Sequence, residues 1–170
     1  MSNLQMWARW SGSMCIGTER CNMDSDAPYT GKAPEASSTL EEVREEIAVL
    51  VNEVRRENGL QELTIDQRLM AAAQNCSDQK FTWHHTKEEC EAVAASGYPY
   101  GFGSNLTVFT GAAIADIAQR AVDNWEKSPG HFQTMTDPDA TSLGVGVTKD
   151  NGVTYCYLFL GKPNTNNPYG

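Results

Sequence analysis

Val153-Thr154-Tyr155-Cys156-Tyr157-Leu158-Phe159-Leu160 is apolar on both of the faces that a strand presents. Successive strand side chains point to opposite sides, so such a run needs cover on both sides and belongs in the middle of a layered domain. Just before it, Leu143-Gly144-Val145-Gly146-Val147 reads as a second strand. Lys149-Asp150-Asn151-Gly152 separates the two, and its Asn-Gly pair favours a tight hairpin. Helical patterns precede and interrupt these strands. The expected fold class is a layered α+β domain with a small central antiparallel sheet flanked by helices.

The helices announce themselves by caps and period. Thr39-Leu40-Glu41-Glu42 is a capping box, after which Leu40, Val43, Ile47, Leu50, Val51 and Val54 recur at helical steps until Asn58-Gly59. A second helix follows Thr64-Ile65-Asp66, with Leu69, Ala72, Ala73 and Cys76 on one face; the small alanines predict a close approach to another element. Thr86-Lys87-Glu88-Glu89 reads as another capping box, opening a short helix that Gly97 closes. Tyr98-Pro99-Tyr100-Gly101-Phe102-Gly103 reads as an aromatic and glycine loop leading into a strand at Asn105–Phe109, and residues 112–126 form the third main helix. On this reading residues 1–36, with Trp7 and Trp10, are an irregular arm that packs onto the domain, residues 37–163 are the domain, and residues 164–170 are a loose tail.

Composition removes some function classes. Lys+Arg 13 against Asp+Glu 22 gives a net charge of -9 and a pI near 4.7, which repels phosphate backbones and anionic headgroups, so nucleic acid is not an expected partner. No apolar run reaches the roughly 20 residues that span a bilayer, and the opening of the chain lacks a basic start followed by an apolar core, so neither a transmembrane segment nor a signal peptide is expected in it. The 5 cysteines are an odd count, which leaves at least one unpaired. Cys15–Cys21 and Cys76–Cys90 are plausible local pairs, Cys156 suits Cys76 or Cys90 equally well, and five buried thiols are the alternative; a disulfide would imply an oxidising compartment.

The chemistry-bearing residues concentrate at Trp125-Glu126-Lys127-Ser128-Pro129-Gly130-His131, where His131 is held at a Pro-Gly bend between a helix and a strand. Ser128 precedes His131 by one helical turn, which opens a hydrolase reading. Serine before Pro-Gly more often shapes the bend, however, and no acidic residue is placed by the sequence to orient the imidazole. Asp137, Asp139 and Asp150 lack the spacing of a calcium loop and read as solvated turn residues. Tyr98, Tyr100 and Phe102 either line a groove for an apolar or carbohydrate ligand or pack their own rings onto the sheet. Asn75-Cys76-Ser77 and Asn105-Leu106-Thr107 fit the glycosylation acceptor pattern.

Five segments, taken in order, resemble the CAP superfamily of cysteine-rich secretory, antigen 5 and pathogenesis-related proteins, most of all its bacterial SCP-like branch. They are Asn52–Leu60 with Leu63-Thr64-Ile65-Asp66, then Trp83-His84-His85-Thr86, Gly103-Ser104-Asn105-Leu106, Trp125–His131 and Leu143-Gly144-Val145-Gly146. The resemblance implies a three-layer α-β-α sandwich, a secreted or cell-surface setting, and a central cleft in which two histidines and one or two glutamates can hold a divalent metal. By position the histidines are His85 and His131, while the two acidic positions fall on Ser104 and Ser128. A zinc site built on His85 and His131 alone is expected to be weak, because zinc ordinarily takes three or four protein ligands. His84 could add a ligand, but neighbours on an extended segment face opposite ways. The functional expectation is an extracellular binding or interaction module, monomeric, with no catalytic residue assigned and an unknown protein or small apolar ligand as partner. A metal- or serine-dependent hydrolase using His85 and His131, and a sterol or lipid carrier, are the alternatives.

Overall fold

A computed structural model describes residues 37–169, so the arm of residues 1–36, its tryptophans and the Cys15–Cys21 pairing lie outside the described residues. The elements run α1 (Leu40–Glu57), β1 (Thr64–Ile65), α2 (Gln67–Asp78), α3 (Thr86–Ala95), β2 (Tyr100–Thr110), α4 (Ile114–Glu126), α5 (Pro129–Met135), β3 (Ser142–Asp150) and β4 (Val153–Asn166). The strands form one sheet in the order β1-β3-β4-β2, sandwiched between helices. It is a mixed sheet: β3 pairs antiparallel to β4 and β4 to β2, but the two-residue β1 joins β3 in parallel.

β4 shows why its sequence is apolar throughout. Cys156, Leu158 and Leu160 lie in one core cluster with Val43, Ile47 and Val51 of α1 and Ile117 of α4. Tyr157 and Phe159 point the other way, into a second cluster with Leu69, Ala73 and Cys76 of α2 and Val93 of α3. Each fully buried aliphatic side chain among these contributes about 1.5–3 kcal/mol. The glycines of β3 serve α2 directly. A Cβ at Gly144 would strike the backbone of Leu69 and one at Gly146 the backbone of Ala73, so the two glycines let α2 lie against the strand. The β3–β4 hairpin turns at Asn151 and Gly152, whose φ values of 53° and 78° match the left-handed pair that Asn-Gly favours.

The helix starts and strand limits differ in instructive ways. At α1 the box closes as expected, with Glu42 N–H donating to Thr39 Oγ1 at 3.1 Å and Thr39 N–H donating to Glu42 Oε1 at 3.2 Å. At α3 it does not: the N-cap is His85, which makes no side-chain capping bond, and Glu89 turns inward. The expected Tyr98–Gly103 loop is strand from Tyr100 onward, because β4 runs on to Asn166 and pairs with it, Tyr100 facing Asn166 and Gly101 facing Lys162 across a bulge. The same pairing orders the end expected to be loose, and Asn167 is buried and donates to Cys90 O at 2.9 Å. Cys76, Cys90 and Cys156 are buried free thiols, so none of the expected pairings among them forms.

One buried cation fixes the segment that carries His131. Arg55 of α1 donates to Gln61 O at 2.8 Å, and to Met135 O and Asp137 O at 2.9 Å each. α5 is thereby clamped at its far end, about one turn beyond the histidine, by charge-assisted bonds worth about 1.5–3 kcal/mol each.

Candidate functional site

Around Glu89 the structure gathers residues from three elements. The Glu89 side chain is only 4% exposed, and its Oε2 accepts from the Tyr157 hydroxyl at 2.8 Å and faces His84 Nδ1 at 2.8 Å. The Ser104 hydroxyl lies 3.3 Å from the same Nδ1, near enough to the carboxylate to favour its ionised form. Burial pushes the Glu89 carboxyl up, but the bonds from His84 and Tyr157 and the nearby Ser104 hydroxyl outweigh it and hold the group below its ordinary value. An ionised carboxylate can only accept, so His84 Nδ1 carries the proton toward it and Nε2 is left as the nitrogen free for a ligand.

His131 sits beside this group, its ring centroid 6.4 Å from that of His84. It is the third residue of α5, and its backbone carbonyl accepts from Asn105 Nδ2 of β2 at 3.0 Å, which ties the helix to the strand carrying Ser104. Burial, then the nearby His84 charge, lowers its pKa, so the neutral imidazole is favoured. Its Nδ1 is buried without a protein partner, as is Asn105 Oδ1.

The expected residues are thus distributed differently from the sequence reading. His84 is the histidine beside His131, whereas His85 stacks on Phe81 at 4.0 Å and on Trp83 at 5.5 Å. The two histidines do face different neighbours, but with their places exchanged and on a segment that bends at Thr82-Trp83. Ser104 joins the cluster. Ser128 is the N-cap of α5 and makes no side-chain capping bond. Glu89 was hidden because Thr86-Lys87-Glu88-Glu89 satisfies the local rule for a capping box; the signal that could have found it is Glu89 lying one turn inside the helix that follows His84.

The geometry limits the chemistry. A serine nucleophile needs the imidazole nitrogen opposite the one its carboxylate orients, yet Ser104 and Glu89 share Nδ1 of His84, so these three do not form a nucleophilic relay. Nor do the residues fit a divalent metal. Among the described residues no group of three or more His, Cys, Asp or Glu is arranged to hold an ion, and the nearest carboxylate, Glu89, is already engaged by His84, Tyr157 and Ser104. Two of the three loop aspartates are in ion pairs instead, Asp137 with Lys162 at 2.8 Å and Asp150 with Lys80 at 2.6 Å, and the Asp139 N–H donates to Asp137 Oδ1 at 2.9 Å. Tyr98 is buried and half-buried Phe102 packs on Phe159 at 4.9 Å, so these two rings pack on the sheet, whereas Tyr100 stands edge-on to Tyr98 at 5.6 Å and is 42% exposed. Asn105 is 0% exposed and is no acceptor for a glycan in the folded state.

Comparison with known proteins bears on the same segments. The profile of the cysteine-rich secretory protein family, CAP, matches residues 49–161. The Bacillus subtilis (strain 168) protein YkwD, described as uncharacterized, is 25% identical over 155 residues, covering 83% of this chain and 57% of its own length. Among solved structures, an outer surface protein of Borrelia burgdorferi superposes with a TM-score of 0.59 at 17% identity, over 74% of this chain and 96% of that one. An extracellular protein of Bacillus anthracis containing an SCP domain gives a TM-score of 0.59 at 22% identity, over 72% of this chain and 41% of that one.

Proposed function

The chain belongs to the cysteine-rich secretory protein (CAP) family, and from that premise we propose that it works outside the cell as a binding module whose recognition element is the cluster His84, Glu89, Ser104 and His131. The observation that carries this reading is the use of Glu89: it fixes His84 through Nδ1 and activates no nucleophile, leaving His84, 39% exposed, to offer Nε2 to a ligand. A rigid imidazole pair of this kind recognises hydrogen-bonding groups without loss of side-chain freedom on binding. The extracellular setting is supported by the outer-surface and extracellular descriptions of the two structural neighbours, and among the described residues no helix is long and apolar enough to cross a membrane.

The competing readings are less well supported. A hydrolase would need Ser104 or Ser128 within reach of a free imidazole nitrogen, and a carrier would need Tyr98 and Phe102 turned into a groove rather than into the core. The test compares turnover of p-nitrophenyl acetate by the native chain and by Ser104→Ala, Ser128→Ala and His84→Ala. The binding reading expects the same background rate from all four. A native rate about tenfold above that of any one variant would replace it with a hydrolase. On the binding side, imidazole resonances of His84 and His131 are followed while short peptides and oligosaccharides are added; movement of both rings by one of these supports the module, and stationary rings throughout overturn it.

A further inference from the structure

Trp83 is 68% exposed, yet its indole is not loose. Its ring lies 21° from parallel with His85 at 5.5 Å, and His85 lies 23° from parallel with Phe81 at 4.0 Å, so a bend at Thr82-Trp83 brings three near-parallel rings together with His85 in contact with both others. A lone exposed apolar residue would need no explanation. An indole backed by two further rings is different, because its face is pre-organised and little side-chain entropy remains to be lost when something stacks on it. His84, between Trp83 and His85, belongs to the Glu89 cluster, so the stack and the cluster share one backbone segment.

The surroundings select the ligand. The chain carries a net charge of -9, Phe81–Thr86 contains neither Lys nor Arg, and the flanking Lys80 and Lys87 are paired with Asp150 and Glu91, which disfavours an anionic partner. The carboxylates nearby already have partners, Glu89 facing His84 at 2.8 Å, Glu88 facing His85 at 4.0 Å and Glu91 facing Lys87 at 3.5 Å, which makes them weaker attractors of a cation. A lipid tail needs an enclosed apolar groove, whereas Trp83 is flanked by exposed Thr82 and Thr86. A flat apolar face rimmed by hydroxyls and partly exposed carboxylates suits a ring that is itself apolar on its faces and polar at its edge. We propose that Trp83, backed by His85 and Phe81, is a stacking subsite for a neutral β-1,4-linked pyranose glycan, whose axial C–H bonds cover the indole while its equatorial hydroxyls reach the rim. This gives the binding module a ligand class and rests on that reading.

The test titrates the full chain with cellotetraose and with chitotetraose while following tryptophan indole N–H and histidine ring signals by NMR, the Trp83 signal being assigned from Trp83→Phe. The expected result is movement of Trp83 and His85 but not of the buried Trp125, about tenfold weaker binding by Trp83→Ala, and no more than about threefold weakening by Trp83→Phe, which keeps a ring face. An unchanged urea midpoint for Trp83→Ala is expected from its exposed position and separates lost stacking from lost folding. The proposal is overturned if neither glycan moves Trp83, if Trp83→Ala binds as well as the native chain, if tetramethylammonium moves Trp83 where the glycans do not, or if the free chain already shields the indole from a soluble paramagnetic agent. The two readings fail separately: glycan-induced shifts at Trp83 with His84 and His131 unmoved would keep the subsite and remove the cluster, whereas shifts at the imidazoles alone would do the reverse.

Discussion

Thr39-Leu40-Glu41-Glu42 and Thr86-Lys87-Glu88-Glu89 enter α1 and α3 with the same pattern, and the fourth residue of each is put to opposite use. Glu42 stays on the surface and closes the box on Thr39, with the Ser38 backbone and hydroxyl as further donors at 2.8 and 2.9 Å. Glu89 starts from an N-cap one residue earlier, at His85, so it falls at the next position round the helix and faces the sheet. There it meets Tyr157, whose buried hydroxyl would otherwise have no acceptor, and His84. Local capping is worth about 1 kcal/mol, and leaving a buried hydroxyl unpaired costs about 1–3 kcal/mol, so the tertiary demand wins at α3 and has no counterpart at α1.

The largest test of this contrast is removal of the two carboxylates. Glu89→Ala is expected to cost about 3 kcal/mol in urea unfolding, since it opens a void and orphans Tyr157 and His84 together. Glu42→Ala, fully on the surface, should cost far less, and equal losses would break the comparison. The acid limb sharpens it. Glu89 has a folded pKa below its unfolded value of about 4.3, so its stabilisation is complete above that pH and disappears as pH falls through the lower folded value. His131 is also lowered, by burial and then by His84, so stability begins to fall earlier, once pH drops below the unfolded histidine value of about 6.5. His131→Gln should remove the upper part of that decline and Glu89→Gln the lower part, read from urea midpoints between pH 7 and 3.

Tyr157→Phe is next in size. It deletes the donor to Glu89 but keeps the ring packed on Phe159, and is expected to cost about 1–2 kcal/mol in the same assay. No loss would mean that the carboxylate has found another donor. The smallest effects lie at the threonines: Thr39→Ala should cost about 1 kcal/mol because Thr39 is the N-cap, whereas Thr86→Ala should stay within about 0.5 kcal/mol because Thr86 is already inside the helix. Matching losses would restore the capping box to α3.

The contrast also marks where sequence reasoning reaches. Period and turn chemistry located α1, α2, α4 and the β3–β4 hairpin, because Val43, Ile47, Leu50 and Val54 or Asn151-Gly152 carry their own local causes. The strand at Tyr100–Gly103 was not legible, since its cause is the distant end of β4 at Gly161–Asn166 and not its own aromatic and glycine residues. The parallel pairing of Thr64-Ile65 with Ser142-Leu143 was hidden for the same reason. At the candidate site, the motifs pointed to His131 and Ser104, both of which lie next to His84. Glu89 and the choice between His84 and His85 were not legible there, because both depend on where α3 begins relative to Tyr157. The thiols illustrate the same limit, as Cys76, with its pKa pushed up to about 12 chiefly by burial, is a core residue despite a spacing that suited a bridge.

The central claim is that Glu89 organises His84, and not His85, beside His131. The direct measurement is the nitrogen spectrum of the imidazoles at pH 7, recorded for the native chain and for Glu89→Gln. The account predicts a His84 Nδ1–H hydrogen-bonded in the native chain and displaced by the substitution, with His131 neutral and His85 unmoved. A response at His85 with His84 unchanged would contradict it.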